Sequence, residues 1–401
     1  MQKLFYLIAG IGIVSVLGAQ PADVEGALAL ALQRNPRVQA LQQEIQSAQR
    51  LSQSASALSA PSILLAPAIT TGGVGEELLL QQPLEITGIR QARMRVGQAE
   101  YELALAQAAL ELNDLLAEVA VVYYEYTYRQ RIAQTAHEAL QLAERTRDAI
   151  RQQVEAGVRA GVDLIQAEIE LERVRQHALM RQTEAAAAQE RLRVSVGGFD
   201  EPQPTATSTV DWKRGLLTED ETVPLSLRPQ TARLRLEQAL AQQIRAEGLP
   251  DLGVQLRIER FQGERTRPGF GLTLSLPLLD YGARQNRLRA QNNLIEAQRL
   301  RLQQTRLALE AELRNAEQRL NQAQTRAESY QKTILPRAQQ LAQAAQVGLE
   351  TGQLSILQLL EAQRTARIVQ EEALEAELEL KLSEVGLKRL RGEFIPKEVK
   401  L

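Results

Sequence analysis

One stretch of this chain occurs twice, and the two copies lie far apart. Pro83-Leu84-Glu85-Ile86-Thr87-Gly88-Ile89-Arg90-Gln91-Ala92-Arg93-Met94-Arg95 returns as Pro277-Leu278-Leu279-Asp280-Tyr281-Gly282-Ala283-Arg284-Gln285-Asn286-Arg287-Leu288-Arg289. With similar spacing, Gly157 and Asp163-Leu164-Ile165-Gln166-Ala167-Glu168 return as Gly352 and Gln358-Leu359-Leu360-Glu361-Ala362-Gln363, and Asn35-Pro36 is echoed by Arg228-Pro229. A period of about 190–195 residues is far longer than a solenoid repeat. One large structural unit has been duplicated, and the fold has to be built from two copies of it.

Each copy reads as two short strands followed by a very long helical hairpin. In the second copy Leu252, Val254, Leu256 and Ile258 alternate with Gly253, Gln255, Arg257 and Glu259. After the loop 263–268, Phe270, Leu272, Leu274, Leu276 and Leu278 alternate with Gly271, Thr273, Ser275 and Pro277. Period-two alternation over about ten positions suits a membrane-spanning strand, which needs about 9–11 residues, and equally a half-buried soluble hairpin. The first copy offers the strands 61–68 and 75–86 around Thr70-Thr71-Gly72-Gly73. From 89 to 155, and from 283 to 351 with Pro336 as the only strong breaker, the chain then reads as helix, each run about 100 Å long at 1.5 Å per residue.

Leu288, Ile295, Leu302, Leu309, Ala316, Ala323 and Tyr330 fall at seven-residue intervals, and Leu313, Leu320, Ala327, Ile334 and Leu341 form a second such row. Two heptad rows predict coiled-coil packing along most of the helix. Glycines at 157, 161, 348 and 352 end these runs, and helices 162–196 and 353–390 return from the tips. The predicted organisation is a signal segment 1–19, a first repeat 20–196, a connector 197–225, a second repeat 226–392 and a tail 393–401.

The N-terminus carries Lys3 and then an apolar run from Leu4 to Leu17, with Gly18 and Ala19 as small residues for cleavage. This pattern predicts a secretory signal peptide, too short for a comfortable transmembrane helix. There is no cysteine, so disulfides, thiolate chemistry and a lipid-bearing N-terminal cysteine are excluded. A formal net charge of −2 implies no general attraction to nucleic acid. No phosphate loop, zinc motif or nucleophile–base arrangement is present, so neither catalysis nor a cofactor is expected. His137 and His177 lack a second ligand at metal spacing and read as surface residues.

Four strands are too few to close a barrel, and in lipid an open sheet leaves backbone groups unsatisfied. If the strands enter a membrane, several chains have to pool them, and this arithmetic allows eight strands from two chains or twelve from three.

Taken together, these features resemble the outer-membrane efflux proteins of the TolC type over nearly the whole mature chain. The helix entry resembles Pro277-Leu278-Leu279-Asp280-Tyr281-Gly282-Ala283-Arg284, the mid-helix proline resembles Pro336, and the tip resembles Gly352-Gln353-Leu354-Ser355-Ile356-Leu357-Gln358-Leu359-Leu360-Glu361-Ala362. The resemblance implies a mainly α fold with a small β part: a homotrimeric α-helical tunnel of coiled-coil hairpins below a shared 12-stranded outer-membrane β-barrel. It implies an exit duct that works with a periplasmic adaptor and an inner-membrane transporter, localised to the outer membrane and extending into the periplasm.

The resemblance also assigns candidate sites. The adaptor-contacting tips map to Gly157, Val158, Arg159 and Ala160 and to Gly352, Gln353, Leu354 and Ser355. Aperture acids map to Asp163 and Glu361, while Gln358 stands where an acid is often found. Leu354 replaces an arginine that serves some members as a latch partner. The rival readings are a periplasmic coiled-coil adaptor, which would carry a single hairpin, and a soluble coiled-coil scaffold, which would leave the period-two strands without a purpose.

Overall fold

The computed structural model describes residues 23–70, 73–198, 223–261, 265–275 and 280–395. The signal segment, most of the connector, and Leu276 and Leu278 lie outside the described residues. In order along the chain the elements are α1 (Val24–Arg34), α2 (Pro36–Ala55), β1 (Ser62–Thr70), β2 (Gly73–Pro83), α3 (Ile89–Glu155) and α4 (Gly161–Ser195). A short 3-10 turn (Leu225–Leu227) leads to α5 (Arg228–Ala246), β3 (Asp251–Phe261), β4 (Arg267–Ser275), α6 (Ala283–Ser329), a π-turn (Tyr330–Ile334), α7 (Leu335–Glu350) and α8 (Ile356–Arg391). The two copies thus repeat the same element order.

The break between α1 and α2 follows from its sequence. Asn35, ahead of Pro36, takes an extended ψ of 123°, because the proline ring disfavours helical geometry in the residue before it. The Asn35 side chain accepts from the Arg37 backbone N–H at 2.8 Å and donates to the Ser195 carbonyl at 2.7 Å. In the second copy Pro229 sits in the first turn of α5, where its missing N–H costs nothing.

Among the described residues two compact units form, and each draws on both copies: 23–38, 118–198 and 322–385 in one, and 39–117, 223–321 and 386–395 in the other. The heptad row from Leu288 to Tyr330 is buried or half-buried throughout, with Leu309, Ala316 and Ala323 fully buried. Past Tyr330 the phase changes. Pro336 has no N–H to give, and its ring would strike the carbonyl four residues earlier, so the chain widens into the π-turn 330–334. That turn takes up one extra residue. The next buried positions are Ala338 and Ala345, and Ile334 and Leu341 of the second predicted row are exposed.

The strands form one antiparallel sheet in the order β1-β2-β3-β4, with β1 and β4 at its open edges. Cross-strand partners share a face. One face gathers Ile63, Leu80, Leu256 and Phe270 in one row, Leu65, Leu78 and Ile258 in the next, and Val254, Leu272, Leu252 and Leu274 beyond. The opposite face gathers Gln81 and Gln255, Glu77, Glu259 and Arg267, and Thr273, with Leu64 and Leu79 beside Arg257 as its apolar exceptions. The alternation read in β3 and β4 therefore extends across all four strands. Phe270 and Leu272 are 77% and 76% exposed, so the chain by itself does not cover its apolar face.

Paired arginines anchor each corner from strand to long helix. Glu85 adopts φ 49°, and its carboxylate accepts from the Arg93 guanidinium at 2.7 and 3.0 Å and from Ser59 at 2.5 Å. Arg93 and Arg90 also donate to the carbonyls of Ala55, Ser56 and Ala57 at the end of α2. The hydrogen bonds from Arg93 hold the Glu85 carboxyl down at about 2, against burial, which acts to raise it. In the second copy Asp280 accepts from the backbone N–H groups of Gly282 and Arg284, and Arg287 reaches Glu247 at 2.9 Å.

Candidate functional site

Both hairpin tips are built alike. Gly157 (φ 74°) and Gly352 (φ 75°) follow α3 and α7 in the left-handed region, where a Cβ is strained. At the first tip Gly157 N–H donates to the Val154 carbonyl at 3.0 Å and Val158 N–H to Gln153 at 2.9 Å. At the second, Gly352 N–H donates to Leu349 at 3.2 Å and Gln353 N–H to Gly348 at 2.8 Å. These are paired Schellman caps, which satisfy the last helical carbonyls and reverse the chain. Val158 is 74% exposed at its turn, and Ala160, Gln353 and Ser355 are exposed as well.

The two tips are also fastened to each other. Ile150, Ala167, Ala345, Leu349, Ile356, Leu359 and Ala362 form one buried cluster, with Val154, Leu164, Leu354 and Leu360 packed against it. It joins α3, α4, α7 and α8. Arg159 donates to the Leu349 carbonyl of the second hairpin at 3.2 Å, hydrogen-bonds Gln153, and lies 3.6 Å from the Asp163 carboxylate. Leu354 folds over Gly348, where an added Cβ would lie 2.6 Å from the leucine Cδ1. A position that holds an arginine in some members of the resembled family is here an apolar plug in a glycine notch. The sequence signal was a second glycine four residues before Gly352.

The aperture candidates separate in the structure. Asp163 lies in the first turn of α4, where the helix dipole favours an anion, and pairs with Arg159. Gln358 is its counterpart in the repeat, and its Oε1 accepts from the Ser355 backbone N–H at 2.9 Å while Gln358 N–H donates to Ser355 Oγ at 3.3 Å. That reciprocal pair is a capping box, so Gln358 serves the start of α8. Glu361 is exposed three residues further on and does not share the position of Asp163 in the repeat.

About 24 Å along α4 from the tip (16 residues at the helical rise), a charge network ties α3, α4 and α8 together. Arg181 donates to Glu184 at 3.0 Å and to Glu371 at 2.9 Å, and Arg129 donates to Glu184 at 2.8 Å while lying 5.4 Å from the Tyr128 ring centroid. His177, expected at the surface, is half-buried here: its Nε2 accepts from Arg181 at 3.3 Å and lies 3.6 Å from Glu371. Burial lowers the His177 pKa, partly offset by Glu371. His137 is exposed. Tyr123 and Tyr126 of α3 are buried, and burial raises both phenols.

Comparison with known proteins agrees with this architecture. Residues 27–198 and 225–393 match the family model described as Outer membrane efflux protein. The chain is 27% identical over 359 residues to the cobalt-zinc-cadmium resistance protein CzcC of Cupriavidus metallidurans, covering 86% of this chain and 84% of that protein. Its fold is similar to that of the outer-membrane channel OprN (TM-score 0.74, 19% identity, 96% of each chain). It is also similar to the open state of the MtrE outer membrane channel of Neisseria gonorrhoeae (TM-score 0.73, 15% identity, 94% of this chain and 91% of that one). The tunnel-and-barrel fold and the outer-membrane location are those of a transport duct. The chain belongs to the outer membrane efflux protein family and forms an efflux channel.

Proposed function

We propose that three copies of this chain form the exit duct of a tripartite efflux or type I secretion system. The sheet carries this reading: four strands, two open edges, one apolar face and one polar face. Pairing β4 of one copy with β1 of the next satisfies both edges, and three copies supply a 12-stranded barrel with its apolar rows toward lipid and its polar rows toward the lumen. The exposed Ile63, Leu65, Phe270, Leu272 and Leu274 then meet the outer-membrane lipid.

The paired tips are the docking points for a periplasmic adaptor, which brings an inner-membrane transporter into line with the duct. Gly157, Val158, Arg159 and Ala160, with Gly352, Gln353, Leu354 and Ser355, provide two glycine turns that a partner backbone can approach closely. Asp163 and Glu361 supply carboxylates to the aperture, while Gln358 holds the α8 cap that positions Glu361. The transporter selects the cargo, and cobalt, zinc and cadmium, the metals in the name of the CzcC relative, are the first substrates to try. A strain lacking this chain, complemented with it, tests the proposal by export of these ions and by cross-linking of tip residues to the adaptor. Normal export without the chain, or tip residues that never cross-link, would sink it.

A further inference from the structure

Two carboxylates face each other on the polar side of the sheet. Glu77 of β2 and Glu259 of β3 are direct cross-strand partners, a placement in which like charges repel. Arg257 answers both: its Nε lies 2.9 Å from Glu77 and its Nη1 lies 3.1 Å from Glu259. The neighbouring strand leaves this guanidinium uncovered. Opposite Arg257 on β4 stands Gly269, and opposite Gln255 stands Gly271, so β4 places no side chain in either position. Arg257 stays 46% exposed above the polar face. Arg267, opposite Glu259, brings a second cation to the same rows, so these four residues hold two charges of each sign.

We propose that Arg257 tunes the ion selectivity of the barrel section of the channel, by neutralising Glu77 and Glu259 together with Arg267 where they line the pore. The inference rests on the polar face being the lumen, as proposed above. Inside a barrel the cluster recurs once per copy around the wall, where low-dielectric surroundings strengthen the field of any uncompensated charge. With Arg257 present, the band is balanced and favours neither cations nor anions. Without it, Arg267 alone stands against two carboxylates, and the one uncompensated negative charge per copy draws cations in. Without the carboxylates, Arg257 and Arg267 remain and draw anions.

The test is the reversal potential of purified protein in planar bilayers under a potassium chloride gradient. Wild type gives the reference potassium-to-chloride ratio, to which the aperture carboxylates contribute and the balanced band adds no bias of its own. Arg257→Gln should raise the potassium-to-chloride ratio severalfold, Arg257→Lys should stay near wild type, and the double variant Glu77→Gln/Glu259→Gln should shift the ratio toward chloride. Opposite shifts from the two kinds of variant cannot come from poor folding alone. Conducting variants whose ratios stay at the wild-type value, or shift in the same direction, overturn the assignment of Arg257. Wild-type protein that forms no conducting channel overturns the pore reading itself, and this inference with it.

Discussion

Replacing Glu85 with Gln removes one negative charge from the corner where β2 turns into α3, and the structure sets the size of the effect. The carboxylate is only 4% exposed, and its pKa is lowered from 4.5 to about 2, chiefly by the hydrogen bonds from Arg93. At 1.36 kcal/mol per unit, the charged form contributes at most about 3 kcal/mol at neutral pH. Arg93 is 31% exposed and keeps the Ala55 and Ala57 carbonyls as partners, so solvent screening and these remaining contacts bring the expected loss to about 2 kcal/mol. The sign follows from the depressed folded pKa: the stabilisation is complete above the unfolded value near 4.5 and is lost as pH falls toward about 2. Denaturant titration of detergent-solubilised wild type and Glu85→Gln at pH 7 and pH 3 measures it. The gap should be present at pH 7 and fall by more than half at pH 3. A gap of equal size at both values would mean that shape and packing at this corner matter rather than charge, and no gap at pH 7 would refute the argument outright.

On the sheet, Phe270→Arg in the central apolar row should cost roughly 2–4 kcal/mol if that row meets lipid at mid-membrane, whereas Thr273→Arg on the polar face should be tolerated; heat resistance of the folded oligomer in detergent reads the difference. At the second tip, Gly348→Leu should displace Leu354 from its notch and loosen the contact between the hairpins, seen as faster hydrogen exchange in α7 and α8 while outer-membrane insertion survives. Protonation of His177 replaces the acceptor facing Arg181 with a second donor. Its lowered pKa means that stability is complete above about 6.5, the unfolded reference value, and is lost as pH falls through the folded pKa; His177→Gln should flatten that decline in thermal melts between pH 7 and pH 5. Bulky substitution at Gly157 or Gly352 should abolish export and adaptor cross-linking without preventing trimer assembly, and normal export by those variants would remove the tips from the docking site.

Local rules carried the sequence reading a long way. Period-two alternation marked β3 and β4, unbroken helical composition gave α3 end to end, and left-handed glycines marked both tips, because each of these depends on a few adjacent residues. The duplication supplied the rest of the order, since two copies of one pattern fold into the same elements. Three features escaped this reading. The one-residue slip in the heptads at Pro336 needed the geometry of the π-turn, which seven-residue counting treats as uninterrupted helix. The partners of Arg159, Leu354 and His177 lie on other helices or on the neighbouring turn, and their roles emerge only once the hairpins are packed together. Arg257 reads in sequence as one polar alternate among several. Strand register alone sets Glu77 opposite Glu259, and with it gives that arginine two carboxylates to hold, because residues about 180 positions apart become neighbours only through the pairing of β2 with β3.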